Sequence, residues 1–124
     1  VPALRGILEE RGFRYSAYDP FFAPDTGWRS ERWDAVVLHE VAEHLAWPGR
    51  ELEALADRLE PGGLLAVRTR FPPSDPKEFE RWWYRQDETH VGFFSLACLS
   101  GHLEGLGMSL IYADKVDSAV FSRA

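Results

Sequence analysis

Residues 36–45, VVLHEVAEHL, place two histidines and two glutamates within six positions directly after an apolar run. Imidazoles beside carboxylates suggest a metal site, and the first arrangement to test is the zinc-protease helix. That helix needs two histidines four residues apart, with a glutamate after the first. Here Glu43 stands four residues after His39 and His44 stands five after it, so neither H-E-x-x-H nor H-x-x-E-H is matched. A second set survives. Glu40, Glu43 and His44 stand at i, i+3 and i+4, a spacing that predicts one shared helix face. Two carboxylates and one imidazole suit Mg²⁺ or Mn²⁺ better than a thiol-seeking metal. The plainer alternative is that His44 caps a helix or hydrogen-bonds within a core, and that no ion binds.

Other residues carry weaker signals. Asp19 ends an apolar–polar alternation and precedes Pro20, the usual start of a turn. His39 closes the apolar run 33–39, where it serves either as a base or as a lining side chain. RWWYRQ (81–86) offers flat rings for a substrate wall, a lid helix or an oligomer contact. Arg68 and Arg70 alternate with Ala66, Val67 and Thr69, which suits an anionic group, and with Arg81 and Arg85 they form a local basic segment. Cys98 is expected to pack within its helix as an inert side chain.

The elements that must position these residues follow from periodicity and punctuation. A helix is predicted over about 2–11, with Gly12 as its stop, and a short strand over 13–20. Residues 21–32 read as a loop, and WDAVVLH (33–39) as a buried strand. EVAEHL is expected to start a helix, and Pro48 to open the next one, with Leu52, Leu55, Ala56 and Leu59 on its buried face. EPGG (60–63) should end that helix before a strand over 64–71. A helix over 77–86, a loop, and a helix over 96–105 capped by Ser95 come next. A hairpin of 108–113 and 118–123 closes the chain. Helices between buried strands predict an α/β fold with a mostly parallel sheet and a terminal antiparallel hairpin.

With 124 residues, 45% hydrophobic and 27% charged, the chain suits one globular domain. A net charge of −6 argues against nucleic acid as the general partner. No apolar stretch approaches the roughly 20 residues of a membrane span. The N-terminal VPALRGILEERGF lacks the pattern of a secretory signal, and a lone cysteine fits a cytoplasmic location.

WDAVVLHEVAEHL followed by LEALADRLEPGGLLAVRTRF resembles the second half of a class I S-adenosylmethionine-dependent methyltransferase. YDP (18–20) and THVGFFSLACLSGHLEGLGM (89–108) resemble two further pieces of that family, in the same order. The resemblance implies a Rossmann-like fold with S-adenosylmethionine as cofactor. It assigns Asp19 and Pro20 to the ribose, Phe21 or Phe22 to the adenine face unless they are core, and Leu38 and His39 to the cofactor at a strand's carboxyl end. The E-x-x-E-H segment is similar to the metal-binding helix of certain O-methyltransferases. By that likeness the ligands are Glu40, Glu43, His44 and His90, with Mg or Mn as the ion. Without an ion, His44, His90 or His39 is the candidate base.

The family's first strand and glycine-rich loop have no counterpart here, since no G-x-G precedes VPALRGILEERGF. The resemblance therefore implies an N-terminally truncated domain. The absent strand would lie between those at 14–19 and 34–38, leaving edges that pair with each other or build a homo-oligomer. The expected activity is methyl transfer to a hydroxyl or amine of a small or ring-bearing acceptor. Two alternatives stand beside it: a non-catalytic remnant acting as an interaction module, and a small-RNA end methyltransferase, which needs a basic groove.

Overall fold

The computed structural model describes residues 2–124. Val1, expected at the start of the first helix, lies outside the described residues. By contacts the chain divides into a unit ending at Arg32 and a larger one, Trp33–Ala124.

In the first unit, α1 (Pro2–Glu10) ends where Gly12 adopts φ 84°, a left-handed stop that favours glycine. The amides of Gly12 and Phe13 donate to the carbonyls of Glu9 and Leu8, both at 3.0 Å, and close the helix end. The strand expected over 13–20 does not form. Alternating side chains make a strand only when a neighbouring backbone completes the ladder, and among the described residues this segment has just an isolated bridge between Asp19 and Ala23. Residues 27–30 form a 3₁₀ turn within the predicted loop.

The second unit is built on β1 (Trp33–His39), the strand read from WDAVVLH. It pairs in parallel with β2 (Leu59–Arg68), setting Val36 opposite Leu65 and Leu38 opposite Val67. Between them α2 (Pro48–Ala56) starts at the expected proline and buries Leu52 and Ala56. α3 (Pro76–Arg81), α4 (Leu96–Glu104), β3 (Met108–Ala113) and β4 (Ser118–Arg123) follow. The sheet runs β1-β2-β4-β3, with β4 antiparallel to both of its neighbours. This is the α/β architecture with a closing hairpin that the patterning predicted. The core fills one face, where Leu59, Leu65, Leu103 and Phe121 are fully buried.

Three local expectations are corrected. EVAEHL is not a helix start: Glu40 sits at φ 56° and only Ala42–His44 make a 3₁₀ turn before Leu45 extends. A left-handed residue breaks helical propagation at its first step, and Pro48 keeps Trp47 out of the helical region. EPGG does not end a helix. α2 has already stopped at Ala56, and Leu59, expected on its buried face, instead pairs with Trp33 in β2. Leu64 pairs with Ala35, so residues 60–63 bulge out of the ladder. A Cβ on Gly63 would lie 2.8 Å from the Glu60 carbonyl oxygen and 3.2 Å from that of Asp34, so only glycine fits. The helix predicted over 77–86 is α3, then an extended Trp82 and a 3₁₀ turn at 83–86.

At the other end of β2 the ladder stops at Arg68. The amides of Thr69 and Phe71 donate instead to Asp117 and Val116, at 2.8 and 3.1 Å. Ser95 caps α4 as expected, its hydroxyl accepting the Cys98 amide at 3.0 Å. Cys98 itself is exposed rather than packed, on the outer side of that helix. No helix of the described residues is long and apolar enough to cross a membrane.

Candidate functional site

The turn after β1 brings the chemistry together, though not as a helix face. Ala42 and Glu43 are buried by the 3₁₀ turn, and Glu43 is 0% exposed. Its main-chain carbonyl accepts the amides of Val91 and Gly92 at 2.8 and 3.2 Å, which draws the 89–92 loop against it. One oxygen of Glu43 and one ring nitrogen each of His44 and His90 lie within 4.8 Å of one another. The two imidazoles meet edge to face, 4.8 Å between centroids.

Both rings are held by carbonyls. His44 Nδ1 lies 2.9 Å from the Thr89 oxygen and His90 Nδ1 lies 2.6 Å from the Tyr84 oxygen. A carbonyl can only accept, so each Nδ1 carries hydrogen, and a ring in its neutral form turns its Nε2 lone pair elsewhere. The Nε2 atoms face carboxylates: His44 lies 3.8 Å from Glu43 Oε1, and His90 lies 3.6 Å from Asp87 Oδ2.

Tyr84 and Thr69 complete the site; the sequence offered Tyr84 only within the aromatic segment 81–86, as one possible substrate wall, and did not single out Thr69. Tyr84, 2% exposed, donates its hydroxyl to Glu40 Oε2 at 2.8 Å and lies 3.4 Å from the Thr69 hydroxyl. Its ring packs 4.1 Å from that of His90. The signal for Thr69 was its two-residue period with Leu65 and Val67, which puts it on the buried face of the sheet; Tyr84 was hidden among neighbouring tryptophans. Burial, then the Glu43 and Glu40 carboxylates, push the Tyr84 phenol well above its ordinary value. Burial and the neighbouring Glu43 raise the Glu40 carboxyl. Glu43 is lowered against its own burial by the groups of Glu40 and Tyr84.

The remaining expected residues fall as follows. Glu40 is turned to Tyr84 and is not in the three-residue cluster. His39, exposed at the end of β1, is also outside it, while Leu38 is buried at 7%. Arg68 pairs with Asp117 at 3.2 Å, and Arg70 lies over the Trp83 ring, so neither cation is directed at the cluster. In the first unit, Asp19 Oδ1 accepts the amides of Phe21 and Phe22 at 2.8 and 2.9 Å. That is the turn role, and it leaves Oδ2 outside the turn. Pro20 is exposed; Phe21 and Phe22 are exposed too, at 86% and 90%, rather than core. An open cleft of about 720 Å³ is lined by Pro72, Pro73, Phe79, Val91 and Phe93. Val91 therefore connects the cleft to the Glu43 carbonyl.

A family model described as a methyltransferase domain matches residues 3–113, most of the chain. The chain belongs to this methyltransferase domain family. Solved structures agree in fold. CalO1, a methyltransferase in calicheamicin biosynthesis with S-adenosylhomocysteine bound, superposes with a TM-score of 0.58 at 16% identity, covering 90% of this chain and 38% of its own. TnmH gives 0.63 at 14% identity, with 100% and 40% covered. An O-methyltransferase family protein from Burkholderia thailandensis gives 0.60 at 14% identity, with 99% and 40% covered. The chain thus spans less than half the length of these structures. No curated protein matches it.

The donor set of this methyltransferase domain fits a divalent ion. The Glu43 carboxylate is fully buried with neither oxygen in hydrogen-bonding geometry, and a ring nitrogen each of His44 and His90 lies within 4.8 Å, so these three residues would hold the ion.

Proposed function

We propose that this domain serves S-adenosylmethionine-dependent methyl transfer to a hydroxyl, or an amine, of a small or ring-bearing acceptor. The observation that carries the reading is the methyltransferase-domain match over residues 3–113. The cofactor supplies the methyl group on a sulfonium, so the leaving group is charged before reaction begins. What remains for the protein is alignment and proton removal.

Asp19 offers Oδ2 to the ribose hydroxyls, a charge-assisted pairing that orients the nucleoside. Beside it, Pro20 fixes the turn, and the exposed rings of Phe21 and Phe22 suit an adenine face. Leu38 and His39 end β1, the position where parallel strands present ligands. The acceptor's ring suits the cleft lined by Pro72, Phe79 and Phe93. As the acceptor oxygen forms its bond to the methyl carbon and the carbon–sulfur bond breaks, the hydroxyl proton passes to an imidazole Nε2 of His44 or His90. Both rings present that atom as an acceptor because Nδ1 is committed to a backbone carbonyl. A divalent ion held by Glu43, His44 and His90 would lower the pKa of a bound hydroxyl.

Titration calorimetry with S-adenosylhomocysteine, with and without a divalent ion, tests the reading. Saturable binding in the micromolar range is expected, weakened about tenfold or more in Asp19→Ala by loss of a charge-assisted pairing. A folded sample that binds no cofactor product would sink methyl transfer by this chain and leave an interaction module as its role.

A further inference from the structure

The open cleft beside the aromatic segment has a polarity as well as a shape. It holds about 720 Å³, room for a ring of one or two cycles. One side is α3, where Pro76, Phe79 and Glu80 stand at i, i+3 and i+4 and so share a face. The other side is the stretch 91–93, and Pro72 and Pro73 complete the lining. The Phe79 and Phe93 rings meet edge to face, 5.7 Å between centroids. Trp82 packs on both, at 5.9 and 5.4 Å, and holds the two rings in place.

Hydrogen-bond donors are scarce on this lining. Its three prolines have no N–H to offer. The amides of Val91 and Gly92 already donate to the Glu43 carbonyl at 2.8 and 3.2 Å, and that of Phe79 donates to the Asp75 carbonyl at 2.9 Å. Among the described residues, the Ser74 hydroxyl is the one side-chain donor of the lining. What the lining has instead is a carboxylate. Glu80 is exposed, and among the described residues its side chain has no hydrogen-bond or ion-pair partner. The neighbouring cations are turned elsewhere. Arg85 donates to the Glu80 main-chain carbonyl at 2.9 Å and lies 5.6 Å over the Phe79 ring, and Arg81 donates to the Lys77 carbonyl at 3.3 Å. Neither lines the cleft. An anionic ligand therefore lacks donors here, whereas a protonated amine meets a free carboxylate for its N–H groups and aromatic rings for its charge.

We propose that the cleft recognises a ring bearing a protonated amine, and that Glu80 is the residue that selects it. The inference rests on the reading of this cleft as the acceptor site and names the acceptor class: a cationic ring amine, in preference to a neutral ring or a ring carboxylic acid. An ammonium has no lone pair with which to attack a methyl carbon. The amine is thus the group by which the acceptor is held, and the methyl goes to a hydroxyl elsewhere on the same molecule. Glu80 determines specificity and takes no part in the chemical step.

The experiment is amide NMR of the ¹⁵N-labelled full chain titrated with three ligands that share one ring: tryptamine, 3-ethylindole and indole-3-propionate. Tryptamine should shift the amides of Val91, Gly92 and Phe93 saturably and bind about tenfold tighter than 3-ethylindole, the scale of an exposed ion pair joined to a cation–π contact. Indole-3-propionate should bind more weakly than either. Glu80→Gln should remove about fivefold of the tryptamine preference, and Glu80→Lys should turn the preference toward indole-3-propionate. Glu80 is exposed, so both variants keep the fold. Glu78→Gln makes the same charge change on α3 but outside the cleft, and it should leave the preference intact. That comparison separates recognition from general attraction by a chain of net charge −6.

Equal affinity for tryptamine and 3-ethylindole overturns the proposal, as does a preference that survives Glu80→Gln or is lost equally in Glu78→Gln. So does absence of binding by all three ligands to the folded chain, or a set of shifts outside the cleft. S-adenosylhomocysteine titration of the same samples keeps the two readings apart. Amine selection without cofactor product leaves a cleft for cationic rings and no methyl transfer, and cofactor product without amine selection leaves only the methyl-transfer reading.

Discussion

A carboxylate can be held ionised by backbone amides alone, and Asp114 is the clearest case in this chain. Its Oδ1 accepts the amides of Val116, Asp117 and Ser118 at 2.8, 3.0 and 3.0 Å, closing the turn between β3 and β4 around a left-handed Lys115. These three bonds, strongest from Ser118, hold its carboxyl far below the ordinary aspartate range. The unfolded chain regains its proton near an ordinary pKa of about 3.9. The stability from this group is therefore complete above that pH and is lost as the pH falls toward the folded value. Asp114→Asn should lower the melting temperature at pH 7 and flatten its fall between about pH 4 and 2. An identical acid slope in the variant would remove Asp114 from the account.

At the scale of elements, two glycines of the same composition have opposite duties. Gly63 lies in the bulge of β2, where an added methyl would meet the Glu60 and Asp34 carbonyl oxygens at 2.8 and 3.2 Å. Both obstacles are backbone and cannot swing aside. Gly63→Ala should cost about 3 kcal/mol, the upper end of the overpacking range. Gly101 lies within α4 with nothing inside 4 Å of an added Cβ. Gly101→Ala should instead stabilise by about 0.4–1 kcal/mol through lost freedom of the unfolded chain. Denaturant unfolding of the two variants gives the sign of each directly; a neutral Gly63→Ala would mean that the bulge relaxes. The glycine pair in EPGG was legible in the sequence as punctuation. Its reading as a helix end failed because a glycine reports a tight backbone and not which element is interrupted. The β1 strand and the closing hairpin were legible, since alternation and β-branched runs are local signals. The 13–20 strand was not, because alternation promises a strand only where a partner edge exists.

For the whole molecule, the larger unit holds a core of its own. Among the described residues, every buried member of its hydrophobic cluster, from Leu38 to Phe121, lies within residues 33–124, as do the four strands of the sheet. A chain of residues 33–124 should therefore fold alone, with a sigmoidal thermal transition and dispersed amide resonances. A non-cooperative melt would show that its stability depends on residues before Trp33. The sequence by itself determined the α/β class, the boundaries of β1, β3 and β4, the helix starts at Pro48 and Ser95, and the family, because these rest on periodicity, caps and motifs within a few residues. It also supplied Glu43, His44 and His90 as candidates. Only the tertiary structure decided that Glu40 turns to Tyr84 instead of joining that set, that Tyr84 and Thr69 pack beside it, and that Glu43 is fully buried. Those outcomes depend on a loop 45 residues away being drawn onto one turn, from Glu43's carbonyl to His44's ring contact with Thr89, and no local pattern encodes so distant a meeting.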